Sequence, residues 1–271
     1  MLSVVSESRL SEIAAAGHDP FASAVPFPHV VVDNLLDEGY LVSVAGEFPA
    51  IGSPTWRRHV KTTSQEKYTN ADVDTMGEYT RALIADLQSD EFCEFLSTLT
   101  GISGLRSDPT LEGGGMHQIG PGGFLKIHAD FRRHPTMPLE RRLNLLCYLN
   151  EGWDPTWGGA IELWDREMTR CVVEVLPRLG TTVVFETSAE SYHGHPDPLR
   201  CPPDVARKSI ALYYYTPIES GVGGDLDPTT HYRARPGEAV AARAEGIPAS
   251  SERSGSSAVR GLVSRITRRR H

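Results

Sequence analysis

His128 and Asp130 are separated by a single residue in the segment GGFLKIHADF. On a β-strand, residues i and i+2 point to the same face, so this imidazole and this carboxylate are placed to bind one metal ion. Two histidines and one carboxylate on one side of a metal leave neighbouring coordination positions open, as a non-haem iron(II) oxygenase requires. The pair therefore predicts two of the three protein ligands of such an iron site.

A second pair with the same spacing, His195 and Asp197, lies further along the chain in the segment GHPDP. A proline stands between the two residues, and Gly194 and Pro198 flank them, so this copy is typical of a loop, where the two side chains need not share a face. A motif this short is weak by itself. Because only the first copy lies in a run with strand character, we favour His128 and Asp130.

The third ligand is expected on a later strand or in the loop that adjoins it. The segment SYHGH follows the apolar run TTVVFET and offers His193 and His195. His193 is nearer the end of the predicted strand, whereas His195 precedes a proline. We favour His193 and keep His195 as the alternative.

An iron site of this kind predicts 2-oxoglutarate as cosubstrate, with its keto and carboxylate oxygens in two positions and dioxygen in the third. The far carboxylate then needs a cation, and the planar fork of arginine binds a carboxylate through two parallel hydrogen bonds. Arg207 opens the predicted strand RKSIALYYYT, and the residues on its face, Ser209 and Ala211, are small. The alternative, Lys208, shares its face with core-like residues such as Ile210. Arg207 is therefore the favoured anchor.

The elements before these motifs are mainly helical. Residues 26–35 read as an opening strand, and the segment LLDEGYLVSVAGEF that follows has helical spacing of its apolar residues. Residues 51–75 are polar and irregular, which predicts a surface loop. Between about residues 76 and 99 the apolar spacing predicts two helices, interrupted at residues 88–90, where Ser89 offers a cap.

Short runs of β-forming residues separated by Gly, Pro and Asp fill the chain from about residue 110 to 217. Regular spacing of such runs predicts an antiparallel sandwich or barrel, with the helices supporting one sheet. Beyond residue 236 the chain is rich in Ala, Ser, Gly and Arg and ends in RITRRRH, which predicts a disordered basic tail.

Composition narrows the possible partners. The formal net charge of −8 over 271 residues argues against general nucleic-acid binding, and no apolar run approaches the length of a membrane span. The N-terminus does not read as a signal peptide. Four widely spaced cysteines with no CxxC pair indicate reduced thiols and a cytoplasmic location. The oligomeric state is not indicated.

The complete set resembles the prolyl-4-hydroxylase-like group of the iron(II)/2-oxoglutarate oxygenase superfamily. The pattern of that group is HxD, a distal His and a Lys or Arg on the following strand, and His128, Asp130, His193 and Arg207 fill these positions. The likeness is closest to a bacterial subfamily marked by the segments LEGGGMHQIGPGGFLKIHADF, RRLNLLCYLNEGWDPTWGGAIELWD and SYHGHPDPLRCPPDVARKSIALYYYT. It extends from about Phe27 to Gly237.

The resemblance implies an α+β, mainly β fold: a double-stranded β-helix (jelly-roll) core over about 110–217, with helical support over about 34–100. The oxygenase domain is expected to span 1–235 and the basic tail 236–271. The implied cofactors are Fe(II), 2-oxoglutarate and dioxygen. The implied reaction hydroxylates an unactivated C–H bond of a peptide or protein residue or of a small metabolite, releasing succinate and carbon dioxide.

The resemblance also implies that polar residues on the strands around HxD help to bind 2-oxoglutarate. His117 and Asn144 are the candidates, with Gln118 and Tyr148 as alternatives, and three tryptophans are expected to shape the mouth of the site: Trp153, Trp157 and Trp164. One departure is that prolyl hydroxylases usually carry a Lys on the last strand, whereas here Arg207 and Lys208 compete for that role.

Two other classes of protein share parts of this pattern. A non-catalytic jelly-roll module that binds a metal or a sugar is the main alternative, but it has no need to keep three ligands together with a cationic anchor. A zinc-dependent hydrolase or isomerase would use the same ligand types. It has no need of a cation 14 residues after the third ligand.

Overall fold

The computed structural model describes Leu2 and residues 4–218 and 226–238. Within these ranges, antiparallel strands form a sheet that curls into a nearly closed barrel, with α-helices packed on its outer face. The fold is the jelly-roll core with supporting helices that the sequence predicts. No helix of the described ranges is long and apolar enough to cross a membrane.

The helices come early in the chain and cover the convex side of the sheet. They are α1 (Glu7–Ser23), α2 (Glu38–Gly46), α3 (Glu78–Leu87) and α4 (Asp90–Thr100). The predicted break between the last two is confirmed: Ser89 caps α4 by accepting a hydrogen bond from the backbone N–H of Phe92 at 3.1 Å. Helix α1, which packs on α4, was not predicted.

The strands follow one another with short connections. They are β1 (His29–Val32), β2 (Arg57–Lys61), β3 (Ser64–Asn70), β4 (Arg106–Ser107), β5 (Gly115–Ala129), β6 (Leu139–Tyr148), β7 (Ile161–Trp164), β8 (Cys171–Val175), β9 (Thr182–Glu186), β10 (His193–His195), β11 (Arg207–Pro217) and β12 (His231–Tyr232). The main path of the sheet runs β1-β9-β6-β11-β5-β10-β7-β8, and β3 and β12 also pair with β5.

The expectation of an irregular loop over residues 51–75 is wrong, because this stretch contains the hairpin of β2 and β3. The reason is that both faces of β3 carry polar residues. Tyr68 and Asn70 are buried on the side of the helices, while Lys67 and Thr69 alternate with them on the opposite side. The alternation is present, but the inward-facing residues are not hydrophobic.

Strand β5 is the element that connects the two halves of the barrel. Its first half pairs with β11 and its second half with β10 and β12. The run GGFLKIHADF, which the sequence predicts as a strand, is the second part of β5, and the pairing of β5 is interrupted around residues 120–123. Because β5 is continuous, it lies beside β11, which holds Arg207, in its first half and beside β10, which holds His193, in its second half.

Two hydrophobic clusters lie on the two faces of the sheet. The larger one fills the space between sheet and helices and includes Leu83, Leu96, Leu145 and Leu212. The smaller one lies inside the barrel and includes Tyr148, Leu163, Val183 and Phe185. The barrel interior is therefore apolar at one end, and polar side chains of β3, β5 and β11 occupy the rest of it.

Candidate metal and cosubstrate site

His128, Asp130 and His193 meet at the end of β5. His193 of β10 pairs directly with His128 of β5, and Asp130 follows two residues later on the same face. The potential ligand atoms of the three side chains all lie within 4.8 Å of one another. The structure thus brings together the three residues that the sequence favours.

Backbone carbonyls fix the orientation of both imidazoles. His128 Nδ1 donates to the carbonyl oxygen of Lys126 at 2.8 Å, and His193 Nδ1 donates to that of Ser191 at 2.9 Å. With the proton on Nδ1, each Nε2 keeps its lone pair and faces Asp130, at 3.5 Å and 3.4 Å. Burial, and then the neighbouring His128, lower the pKa of His193 to about 3, so this ring is neutral at physiological pH.

The Asp130 carboxylate is held on one side only. Its Oδ2 accepts hydrogen bonds from Arg141 Nη2 at 2.9 Å and from Asn144 Nδ2 at 2.7 Å, while Oδ1 faces His128. Burial by itself would raise the pKa of Asp130, but the Arg141 guanidinium and the two imidazoles lower it well below its usual range. The carboxylate is therefore ionised, with Oδ1 free of amide and guanidinium donors.

This donor set fits iron(II). It consists of two neutral imidazole nitrogens and one carboxylate oxygen, preset by hydrogen bonds to backbone and side chains behind them. Gly194 allows the close approach of β10 to β5, since a Cβ there would lie 2.8 Å from the carbonyl oxygen of Leu125. A larger residue at this position would move His193 away from His128.

Arg207 lies inside the barrel, only 6% exposed, and forms no ion pair with a carboxylate of the described residues. Its Nε donates to the carbonyl oxygen of Gly159 at 2.7 Å, and its Nη2 donates to the hydroxyl of Tyr148 at 3.0 Å. A Cβ at Gly159, where φ is +77°, would lie 3.3 Å from the Arg207 side chain. Lys208 points the other way and donates to the carbonyl oxygen of Ala45.

The other predicted cosubstrate residues divide between the two faces of the sheet. His117 pairs with Ser209, two residues from Arg207, and is therefore on the inner face; its Nε2 donates to the carbonyl oxygen of Gly113 at 3.0 Å. Asn144 and Tyr148 are also inward, through their contacts with Asp130 and Arg207. Gln118 alternates with His117 and faces the helices.

The second HxD copy does not form a metal site. Asp197 lies at the surface and pairs with Arg235 at 2.6 Å. His195 is buried, and its Nδ1 has no hydrogen-bond partner in the described part of the chain. Burial, and then the charges of Arg207 and Lys67, lower the pKa of His195 well below its usual range, so this side chain is a neutral neighbour of the site.

The three tryptophans lie apart from the ligands. Trp153 and Trp157 pack edge to face with ring centroids 5.3 Å apart, next to Gly159, and Trp164 donates to Glu162 at 2.7 Å. Trp153 and Trp157 thus line the end of the barrel beside Arg207, whereas Trp164 belongs to a different cluster on the β5 and β7 side.

Two cations of the site were missed from the sequence. Arg141 is 1% exposed and stacks over the Tyr213 ring, 3.3 Å from its centroid; its sequence neighbours Glu140 and Arg142 are also charged, so the local sequence does not single it out. Lys67 lies on β3, in the stretch mistaken for a loop. Its position is visible only when the pairing of β3 with β5 is known.

Comparison with known proteins agrees with this geometry. The family model described as the 2OG-Fe(II) oxygenase superfamily matches residues 114–215. A search of curated proteins finds no match. Among solved structures, a Pseudomonas putida prolyl-4-hydroxylase is similar with a TM-score of 0.52 and 18% identity, covering 75% of this chain and 98% of that one.

A prolyl hydroxylase from Trichoplax adhaerens, solved with a peptide fragment of the hypoxia inducible factor oxygen degradation domain, has a TM-score of 0.54 at 15% identity, over 77% of this chain and 91% of that one. A prolyl 4-hydroxylase from Phytophthora capsici has a TM-score of 0.52 at 18% identity, over 82% and 69%. At these identities the likeness establishes the fold.

The barrel with a His/Asp/His centre defines the class as a non-haem iron oxygenase. Residues 114–215, which contain all three candidate ligands and Arg207, match the model of the 2OG-Fe(II) oxygenase superfamily. The family match and the geometry of the site support a 2-oxoglutarate-dependent dioxygenase.

Proposed function

We propose that His128, Asp130 and His193 bind one Fe(II) and that Arg207, oriented by Tyr148, binds the distal carboxylate of 2-oxoglutarate. The observation that carries this assignment is the convergence of three ligand atoms within 4.8 Å, in the same barrel as a buried guanidinium that has no carboxylate partner among the described residues. A buried cation without an anion is unfavourable unless a ligand supplies one.

When bound, iron(II) with 2-oxoglutarate and dioxygen supplies the oxidising chemistry, and the cosubstrate leaves as succinate and carbon dioxide. The residues of the chain supply geometry. Asp130 presents Oδ1 while Arg141 and Asn144 hold Oδ2, and the backbone carbonyls hold both imidazoles in the tautomer that binds metals. The apolar interior, with the Phe185 ring 4.6 Å from that of His193, keeps water from the ligands.

The substrate is proposed to be a peptide or protein residue, or a small metabolite, that is hydroxylated at an unactivated C–H bond. The peptide bound in the Trichoplax adhaerens structure makes a peptidyl residue one of the two classes to test. A cytoplasmic location is proposed as well, and it is supported by the four cysteines, which are all free thiols.

The test is cosubstrate turnover by the full chain. Purified enzyme supplied with iron(II), 2-oxoglutarate and dioxygen is expected to form succinate slowly, and the addition of a substrate is expected to accelerate it. Omission of iron or oxygen should abolish the reaction. Succinate formation at the same rate without iron would contradict the proposal.

A further inference from the structure

Lys67 lies in line with Arg207 on the inner face of the barrel. In the antiparallel register, Arg207 of β11 pairs with Ile119 of β5, and Ile119 pairs with Lys67 of β3. Paired residues project from the same face, and two strand spacings separate the backbones of the two cations by roughly 10 Å. The two positive side chains therefore flank Ile119 inside one barrel.

Lys67 has no anionic partner. Neither an ion pair nor a hydrogen bond of its ammonium occurs within the described ranges, although the group is partly buried. Its neighbour Glu66 belongs to the other face, where it pairs with Arg58 and accepts from the Tyr68 hydroxyl at 2.6 Å. Burial lowers the pKa of Lys67 to about 8, so the ammonium still carries its proton at neutral pH.

The other charges of the site are already matched. Asp130 is the carboxylate whose charge acts on Lys67, and it forms its ion pair with Arg141 at 2.9 Å. Under the function proposed above, on which this inference rests, Arg207 takes the distal carboxylate of 2-oxoglutarate. Lys67 then remains as a partly buried cation that needs an anion from outside the chain.

We infer that Lys67 binds a carboxylate of the substrate to be oxidised, so that the enzyme acts on an acid-bearing molecule. One ammonium balances one negative charge, whereas a phosphate would bring nearly two charges into the same partly buried place. Lysine binds as a point charge with three rotatable donors, which suits a carboxylate that has to be held but not fixed in a plane.

Lys67 differs in burial from the other basic residues of its hairpin. The two strands form a hairpin whose outer strand carries the exposed residues Arg57 and Lys61. His59, between them, pairs with Lys67, and burial lowers its pKa to about 4, so it adds no charge of its own. Lys67 is thus the partly buried cation of the hairpin, whose other basic residues are exposed.

The chain has four lysines, at positions 61, 67, 126 and 208, which makes a direct test practicable. Dimethylation of lysines with a 13C label keeps their charge and gives one NMR signal for each side chain. The protein is loaded with zinc(II), as a diamagnetic substitute for iron, and with saturating 2-oxoglutarate. Butyrate is then titrated as the carboxylate probe and butyramide as the neutral probe, with Lys67→Met to assign the signal.

Butyrate is expected to shift the Lys67 signal saturably, with 2-oxoglutarate still bound, while butyramide leaves it in place. In Lys67→Met the affinity for butyrate, measured by calorimetry on unlabelled protein, should fall at least about tenfold, as expected for loss of a charged hydrogen bond. Lys61→Met, on the exposed strand of the same hairpin, is the matched control and should bind butyrate normally.

Three outcomes would overturn the inference. Butyrate fails to saturate the Lys67 signal; methyl phosphate saturates it but butyrate does not; or Lys67→Met weakens 2-oxoglutarate binding as much as Arg207→Met does. Failure of the proposed function is seen separately, because unmodified protein would then bind neither zinc nor 2-oxoglutarate at this site.

Discussion

Asp130 and Arg141 form an ion pair of 2.9 Å inside the barrel, and the Arg141 side chain is almost completely excluded from solvent. The guanidinium also donates from Nε to the amide oxygen of Asn144 at 2.8 Å, and Asn144 in turn donates to the same oxygen of Asp130. The three side chains form a closed set that fixes one carboxylate oxygen and leaves the other for a metal.

Replacement of Arg141 by Met is therefore expected to weaken iron binding about 10- to 100-fold, because residues that orient a metal ligand contribute on this scale. Metal affinity is measured by anaerobic calorimetry. The neighbouring Arg142→Met is the matched control, since Arg142 is partly exposed and its nearest carboxylate, Glu186, is 3.8 Å away. Equal metal affinity in the two variants would mean that Arg141 does not orient Asp130 for metal binding. Thermal unfolding shows whether both variants are folded.

Arg207→Met is expected to raise the KM for 2-oxoglutarate about 10- to 100-fold, since a charged hydrogen bond contributes about 1.5–3 kcal/mol. Steady-state succinate formation at varied 2-oxoglutarate measures the change. Lys208→Met is the control, because its ammonium faces the helices and donates to the carbonyl oxygen of Ala45. A normal KM in Arg207→Met would assign the cosubstrate to another cation.

His193→Ala is expected to lose the metal, whereas His195→Ala should keep it. Of these two histidines, His193 directs Nε2 to Asp130, at 3.4 Å, whereas His195 is not part of the cluster of ligand atoms. Metal content after dialysis against iron(II) distinguishes the two variants. Retention in His193→Ala together with loss in His195→Ala would reverse the assignment.

The protein without metal is expected to lose stability as the pH falls from 7.5 to 5, and His117 contributes to this loss. Burial lowers the pKa of His117 well below the usual value of about 6.5. Between pH 6.5 and the lower pKa of the folded protein, His117 binds a proton in the unfolded chain but not in the folded chain. The free energy of unfolding is therefore highest above pH 6.5 and decreases as the pH falls below it. One such histidine corresponds to about 2 kcal/mol over this interval.

Urea unfolding at the two pH values, in the presence of a chelator, checks this dependence. His117→Gln, which retains a donor for the Gly113 carbonyl oxygen, should lose about 2 kcal/mol less than the unmodified protein. If the free energy of unfolding falls by the same amount between the two pH values in His117→Gln and in the unmodified protein, the pKa of His117 is not lowered in the folded state.

Much of the fold is readable from the sequence because its strands follow the alternation of an antiparallel sheet. The HxD pair was predicted from its spacing, since residues two apart on a strand share a face. His193 was predicted from its place just after the apolar run TTVVFET. The choice of Arg207 over Lys208 followed from the small and the apolar sets that accompany each, and the structure places Arg207 inward and Lys208 against the helices.

The remainder depends on pairing that periodicity does not reveal. Strand β3 was missed because its inward residues, Lys67 and Thr69, are polar, so the two faces do not differ in hydrophobicity. Arg141 was missed because its partner Asp130 is on another strand, and nothing in the local sequence of β6 indicates the contact. The basic segment from residue 239 onward lies outside the described residues, and its prediction as a disordered tail remains a prediction.

The two HxD copies of this chain permit the most direct test of the central claim. Anaerobic titration with iron(II) is compared in the unmodified protein, Asp130→Ala and Asp197→Ala. Asp197, which pairs with Arg235 at the surface, serves as an internal control of the same residue type. One iron(II) per chain is predicted for the unmodified protein and for Asp197→Ala, and none for Asp130→Ala; undiminished iron binding in Asp130→Ala would contradict the assignment of the site.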